Sequence, residues 1–169
     1  CSMLSFLDES TEEHGLDTDG EALRLARELL GSRAILEKNS WEALGESQKK
    51  YDVVLLVHLL ELIAGDQRLS LLTTARRILK DDGRLIFTTP NRLNAYYRDN
   101  YAKLDEKELR HLLESAGFSG KIYGWNPFPI QWGHILKYLP GIFTILQYFS
   151  QREFLKKSSV SLFTIAEPE

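Results

Sequence analysis

Four places in the chain set a polar or aromatic residue directly after an apolar run, and each could do chemistry. Asp17 ends "HGLD" and precedes "TDGEALRLARELL", a helix that starts with Asp19 and Glu21. The partial positive charge of a helix N-terminus favours acids at those two positions. Asp17 lies before them, where nucleotide-binding α/β proteins keep an acid to accept hydrogen bonds from ribose hydroxyls. Its plainer reading is a solvated acid in a turn. Asn39, Ser40 and Trp41 follow "RAILEK", His58 follows "YDVVLLV", and Pro90-Asn91 follow "RLIFTT". Among these groups only the imidazole of His58 readily exchanges protons near neutral pH.

The elements that must position these residues are legible as alternating patterns. A helix is predicted over 20–30 and a short strand over 33–38, closed by "NSWEALGES". Residues 51–57 form a near-continuous apolar run, which predicts a strand buried on both faces. Apolar residues at 69, 72, 75, 78 and 79 have helical spacing, and the following "KDDG" reads as a turn that caps the helix. Residues 84–90 are the next strand, stopped by Pro90. In "LDEKELRHLLESAGF", Asp105 and Glu108 have capping-box spacing, Leu109, Leu112, Leu113 and Ala116 are the buried stripe, and Gly117 ends the helix. Strands over 120–125 and 159–167 complete the chain. This alternation predicts an α/β fold, a doubly wound and mostly parallel sheet with helices on both faces. Ligands on such sheets bind outside the carboxyl ends of the strands, so the four sites should share one rim.

Composition narrows the function classes. The 169 residues are 43% hydrophobic and 27% charged, ordinary values for a globular domain, and one domain over 1–169 is expected. A net charge of −3 carries no nucleic-acid footprint. The one cysteine, Cys1, excludes an internal disulfide and fits a cytoplasmic location. No stretch has the roughly 18 uninterrupted apolar residues of a membrane span. The richest, 135–149, is broken by Lys137 and Pro140-Gly141.

Taken together, the motifs resemble the class I S-adenosylmethionine-dependent methyltransferases, specifically their small-molecule "type 11/12" group, over about residues 12–125. "GLDTDGEALRLAR" is similar to that family's second-strand motif, and "YDVVLLVHLLELI" to its fourth. "ARRILKDDGRLIFTTPN" looks like its helix and fifth strand, and "LDEKELRHLLESAGF" like its late helix. The resemblance implies a Rossmann-like sheet with an antiparallel last strand. It also implies S-adenosyl-L-methionine as cofactor, with S-adenosyl-L-homocysteine as product. By position it gives Asp17 the cofactor ribose, with Thr18 and Asp19 flanking. Asn39 falls where the adenine amino group is held, with Ser40 and Trp41 beside the ring. His58 would face the methionine end or the methyl acceptor, as the general base when the acceptor needs one. Pro90, Asn91, Phe128 and Trp132 would line the acceptor pocket, and residues 126–157 form an acceptor-side insertion or lid.

Two departures stand out. The family's first strand and its Gly-x-Gly-x-Gly loop have no counterpart in "CSMLSFLDESTEEHG", where Gly15 is the first glycine. Residues upstream, or a loop segment missing from this chain, are therefore expected, because a sheet without that strand has two unpaired central edges. Leu62 stands where the family's Leu-Glu-His step has histidine, so no metal is expected, and Glu61 reads as a local cap or pair.

The expected function is methyl transfer to a small-molecule, sugar or lipid-linked acceptor. Its rivals are an inactive methyltransferase-like binding module and, further off, an NAD-dependent oxidoreductase. The apolar 133–149 segment reads as a buried helical pair, with an acceptor lid or a peripheral membrane-facing surface as alternatives.

Overall fold

A computed structural model describes residues 11–93, 104–125, 159 and 161–169. They fall into two compact units, residues 1–48 and 49–169.

In the first unit, β1 (Glu13–Asp17) pairs in parallel with β2 (Ala34–Lys38), from Glu13↔Ala34 to Asp17↔Lys38. The helix α1 (Gly20–Leu30) connects them. Its start follows the sequence reading: the Asp19 carboxylate accepts from the Glu21 N–H at 2.9 Å. Leu23, Ala26 and Leu30 are its buried stripe. β1 is more of a strand than its sequence suggests. The polar Glu13 that opens it is only 3% exposed, because Arg33 donates to its carboxylate at 2.8 Å. After β2 the segment "NSWEALGES" contains a 3-10 helix over Trp41–Glu46.

The second unit is a four-stranded sheet of order β3-β4-β6-β5. β3 (Tyr51–Val57) and β4 (Leu79–Pro90) are parallel and joined by α2 (Arg68–Ile78). After α3 (Glu106–Ser115) comes β5 (Phe118–Trp125). The last strand, β6 (Ser161–Pro168), inserts between β4 and β5 and runs antiparallel to both, as the resemblance implies. Buried residues alternate along the strands: Val54 and Leu56 on β3, Leu85, Phe87 and Thr89 on β4, Leu162, Thr164 and Ala166 on β6. This face carries the core, and α2 and α3 pack on the sheet and on each other.

Three local expectations need correction. β3 is not buried on both faces, since Val53 and Val57 are 46% and 47% exposed while Val54 and Leu56 are buried. Alternate residues of a strand point to opposite faces, and among the described residues of β3 only the face with Val54 and Leu56 is buried. The α2 stripe includes Leu71, and Leu69 is exposed, so the apolar spacing is offset from the buried face. The "KDDG" run is not a turn closing a helix. It lies inside β4, between the pairs Tyr51↔Leu79 and Val53↔Arg84, where β4 holds surplus residues as a bulge. A Cβ on Gly83 would sit 2.9 Å from Leu79 Cδ2 and 3.1 Å from the Tyr51 carbonyl oxygen. Glycine is there because two backbones approach closely.

The capping box is as read. Asp105 accepts from the Glu108 N–H at 2.9 Å, and Glu108 accepts from the Asp105 N–H at 3.1 Å. Arg92, which follows β4, donates to Asp105 at 2.5 Å and to Glu108 at 2.7 Å. Burial pushes the Asp105 carboxyl up, but the Glu108 N–H and Arg92 outweigh it and hold it below its ordinary range. Asp105→Ala is expected to cost about 1 kcal/mol of stability. A depressed carboxyl stabilises the fold above its unfolded value, about 3.9, and loses that contribution as pH falls through the folded value. Urea denaturation of Asp105→Asn and wild type should therefore show a gap at neutral pH that narrows in acid.

Candidate functional site

The carboxyl ends of β1 and β2 lie side by side and bring together the five residues assigned to the cofactor. The Asn39 N–H donates to the Asp17 carbonyl at 3.1 Å, which extends the strand pairing by one step. Asp17 turns the chain into α1, with its Oδ1 accepting from the Asp19 N–H at 2.9 Å. The Asp17 side chain is exposed, and no second hydrogen bond engages its Oδ2 among the described residues. Asn39 folds onto its neighbour, its Oδ1 accepting from the Ser40 N–H at 2.9 Å. Ser40 precedes the 3-10 helix with no side-chain cap bond, and Trp41 is half-buried. Thr18 is exposed between Asp17 and Asp19.

This chemistry suits a nucleoside. Asp17 offers a carboxylate oxygen to hydroxyl donors, Asn39 and Ser40 carry polar groups one strand away, and Trp41 offers a ring. Gly15 leaves room for the Leu36 side chain of the paired strand, since a Cβ there would meet Leu36 Cδ2 at 2.6 Å.

The carboxyl ends of β3 and β4 carry the second set. The His58 N–H donates to the Thr88 carbonyl at 3.2 Å, and His58 then turns with φ 51°, the one positive φ outside glycine among the described residues. Left-handed backbone is uncommon without glycine and costs about 1–3 kcal/mol. The turn is braced from below. Leu60 is 1% exposed, and the buried Arg68 of α2 donates from Nε to the Leu60 and Ile63 carbonyls at 3.1 and 3.2 Å. As a result Glu61 comes back under the histidine. Its Oε1 lies 2.8 Å from His58 Nδ1, with the His58 side chain 52% exposed and that of Glu61 5%.

Pro90 and Asn91, at the end of β4, are both buried. The Asn91 amide donates to the Ser159 carbonyl at 3.0 Å and its Oδ1 accepts from the Leu93 N–H at 3.1 Å. Asn91 thus fixes the turn at the strand end. Phe128, Trp132 and the 133–149 segment lie outside the described residues.

The local pair expected of Glu61 is present, with His58 as its partner. The signal was present as an acid three residues after a post-strand histidine inside "HLLELI". Its burial and partner depend on the backbone turn at His58, which no composition rule announces. Among the described residues, Glu61 Oε2, Thr88 Oγ1 and Thr89 Oγ1 are buried without a hydrogen-bond partner, all close to the carboxyl ends of β3 and β4. Among the described residues no three metal-ligating side chains come together, and no helix is long and apolar enough to cross a membrane.

Comparison with known proteins agrees with the fold. No curated protein matches the chain. Among solved structures, the plantazolicin methyltransferase BpumL in complex with a monoazolic desmethylPZN analogue and S-adenosylhomocysteine superposes with TM-score 0.66 at 16% identity, covering 99% of this chain and 71% of that one. A structure described as a "possible histamine N-methyltransferase" from Thermotoga maritima also has TM-score 0.66 at 16% identity, covering 93% and 73%. A TehB-like S-adenosylmethionine-dependent methyltransferase from Corynebacterium glutamicum has TM-score 0.62 at 13% identity, covering 94% and 68%. Identities this low speak to the fold, which is that of the Rossmann-like methyltransferases. A family model described as "Methyltransferase domain" matches residues 10–121 of the 169, and with that match spanning well over half its length the chain belongs to the class I S-adenosylmethionine-dependent methyltransferases.

Proposed function

We propose that this methyltransferase acts on a small-molecule acceptor whose oxygen or nitrogen sheds a proton on methylation, with His58 as the base. The observation that carries the reading is the half-exposed His58 imidazole, held at the carboxyl end of β3 by a buried carboxylate. Two structural neighbours, a plantazolicin methyltransferase and a "possible histamine N-methyltransferase", support a small acceptor, and sugars or lipid-linked molecules belong to the same range. The net charge of −3 speaks against nucleic acid.

S-adenosyl-L-methionine, when bound, supplies an activated sulfonium methyl whose bonding pair stays on sulfur as S-adenosyl-L-homocysteine leaves. Asp17 would accept hydrogen bonds from the ribose hydroxyls through its carboxylate, beside Thr18. Asn39, Ser40 and Trp41 would hold the adenine. Because the methyl is already activated, the residues contribute mainly orientation and proximity. Pro90 and Asn91 shape the acceptor side through the turn that Asn91 holds. Residues 1–169 serve as one catalytic domain.

The test is transfer of labelled methyl from S-adenosyl-L-methionine to a panel of phenols, sugars and amines, with RNA and DNA beside them. Label recovered in a small molecule is the expected result. Cofactor binding without transfer to any acceptor would favour the binding module instead.

A further inference from the structure

We infer that Glu61 is a positioning residue that fixes the His58 imidazole with its proton on Nδ1, leaving Nε2 free to accept one. The inference rests on the methyltransferase reading above and deepens it, since it names the group that makes His58 a base.

The geometry states the problem and its solution. Glu61 is a carboxyl group with a side chain 5% exposed, and a buried carboxylate is costly unless hydrogen-bonded. Among the described residues its Oε2 has no partner, and its only side-chain hydrogen bond is the 2.8 Å one from Oε1 to His58 Nδ1. An ionised carboxylate only accepts hydrogen bonds, so Nδ1 must be the donor. Neutral imidazole carries one N–H, and with that proton on Nδ1 the acceptor lone pair is on Nε2. The left-handed turn at His58 and the Arg68 brace beneath Leu60 and Ile63 hold this pairing three residues apart in sequence. Backbone strain at an exposed histidine has a purpose if it brings the ring over a buried acid.

The proton balance is simple. As the acceptor's lone pair bonds to the transferred methyl, the acceptor's own proton passes to His58 Nε2. The resulting imidazolium keeps its Nδ1–H on Glu61, and the carboxylate stabilises the new charge. The half-exposed ring then returns the Nε2 proton to water. Glu61 ends as it began.

The experiment is a long-range proton–nitrogen correlation spectrum of the histidine rings in the full chain, with His58→Asn to assign the signal. The expected wild-type spectrum has a pyrrole-like Nδ1 and a pyridine-like Nε2 for His58. In Glu61→Gln the neutral amide can donate as well as accept, so the two tautomers should mix. Methyl transfer should fall by no more than the about 10²–10⁴-fold that removal of the base itself removes, with S-adenosylhomocysteine affinity unchanged. A proton on Nε2 in wild type overturns the inference, because Glu61 would then be the donor and His58 no base. A tautomer indifferent to Glu61→Gln overturns it equally. The wild-type spectrum decides even if the variant does not fold. Absence of S-adenosylhomocysteine binding in wild type is a separate failure, and it overturns the enzymatic reading rather than the tautomer.

Discussion

Replacing His58 with alanine is expected to lower methyl transfer about 10²–10⁴-fold, the usual share of a general base, and to leave S-adenosylhomocysteine affinity unchanged. Both halves follow from position. The imidazole follows β3 with its side chain 52% exposed, whereas the residues assigned to ribose and adenine follow β1 and β2. Removing it withdraws the proposed proton acceptor and none of the residues proposed to hold the nucleoside. Alanine also inherits the left-handed backbone at φ 51°, so His58→Asn is the companion variant, because asparagine tolerates that conformation better. Equal losses in the two variants, with folding intact by circular dichroism, would assign the effect to the imidazole. Unchanged turnover in both would mean that the acceptor needs no base, and His58 would then have no catalytic part.

Phe87→Ala should be the most damaging single change to the fold, costing about 3–5 kcal/mol. That is a large part of the roughly 5–15 kcal/mol that holds a domain folded. Phe87 is 1% exposed, in the middle of β4, opposite Leu56 on the parallel side and Thr164 on the antiparallel side. It has neighbours across both edges and helices over its face, so the surroundings can collapse only partly into the space left. Urea denaturation should show the midpoint falling with the slope unchanged. Loss below 1 kcal/mol would mean that the sheet interior is far looser than its burial pattern implies.

How much of this was legible in the chain depends on whether the cause was local. The bounds of α1 and β3 coincide with the sequence reading because caps, periodicity and apolar runs are written within a few residues. The Asp105–Glu108 capping box is of the same kind. The reversed last strand came from family resemblance and not from any pattern in "SVSLFTIAE". What escaped was tertiary. Glu13 looks like a poor strand residue until Arg33, twenty positions on, neutralises it. "KDDG" has the composition of a turn, and only its fit against Tyr51 makes it part of β4. Asn91 looked like a rim residue open to ligand, yet its amide is spent on Ser159, 68 residues away. The His58–Glu61 pair was half legible. Both residues stand out in the sequence, but their contact needs a left-handed backbone at a non-glycine residue.

The central claim is that the carboxyl ends of β1 and β2 hold the cofactor's nucleoside, and calorimetric titration with S-adenosylhomocysteine tests it most directly. The account predicts saturable binding at one site in the wild-type chain. Asp17→Ala should weaken it roughly 10- to 100-fold, equivalent to losing a hydrogen bond to a charged group at about 1.5–3 kcal/mol. Asp17→Asn should fall between them, since it keeps an acceptor for the Asp19 N–H but loses the charge. Binding indifferent to Asp17, or no binding by the wild-type chain, would contradict the account.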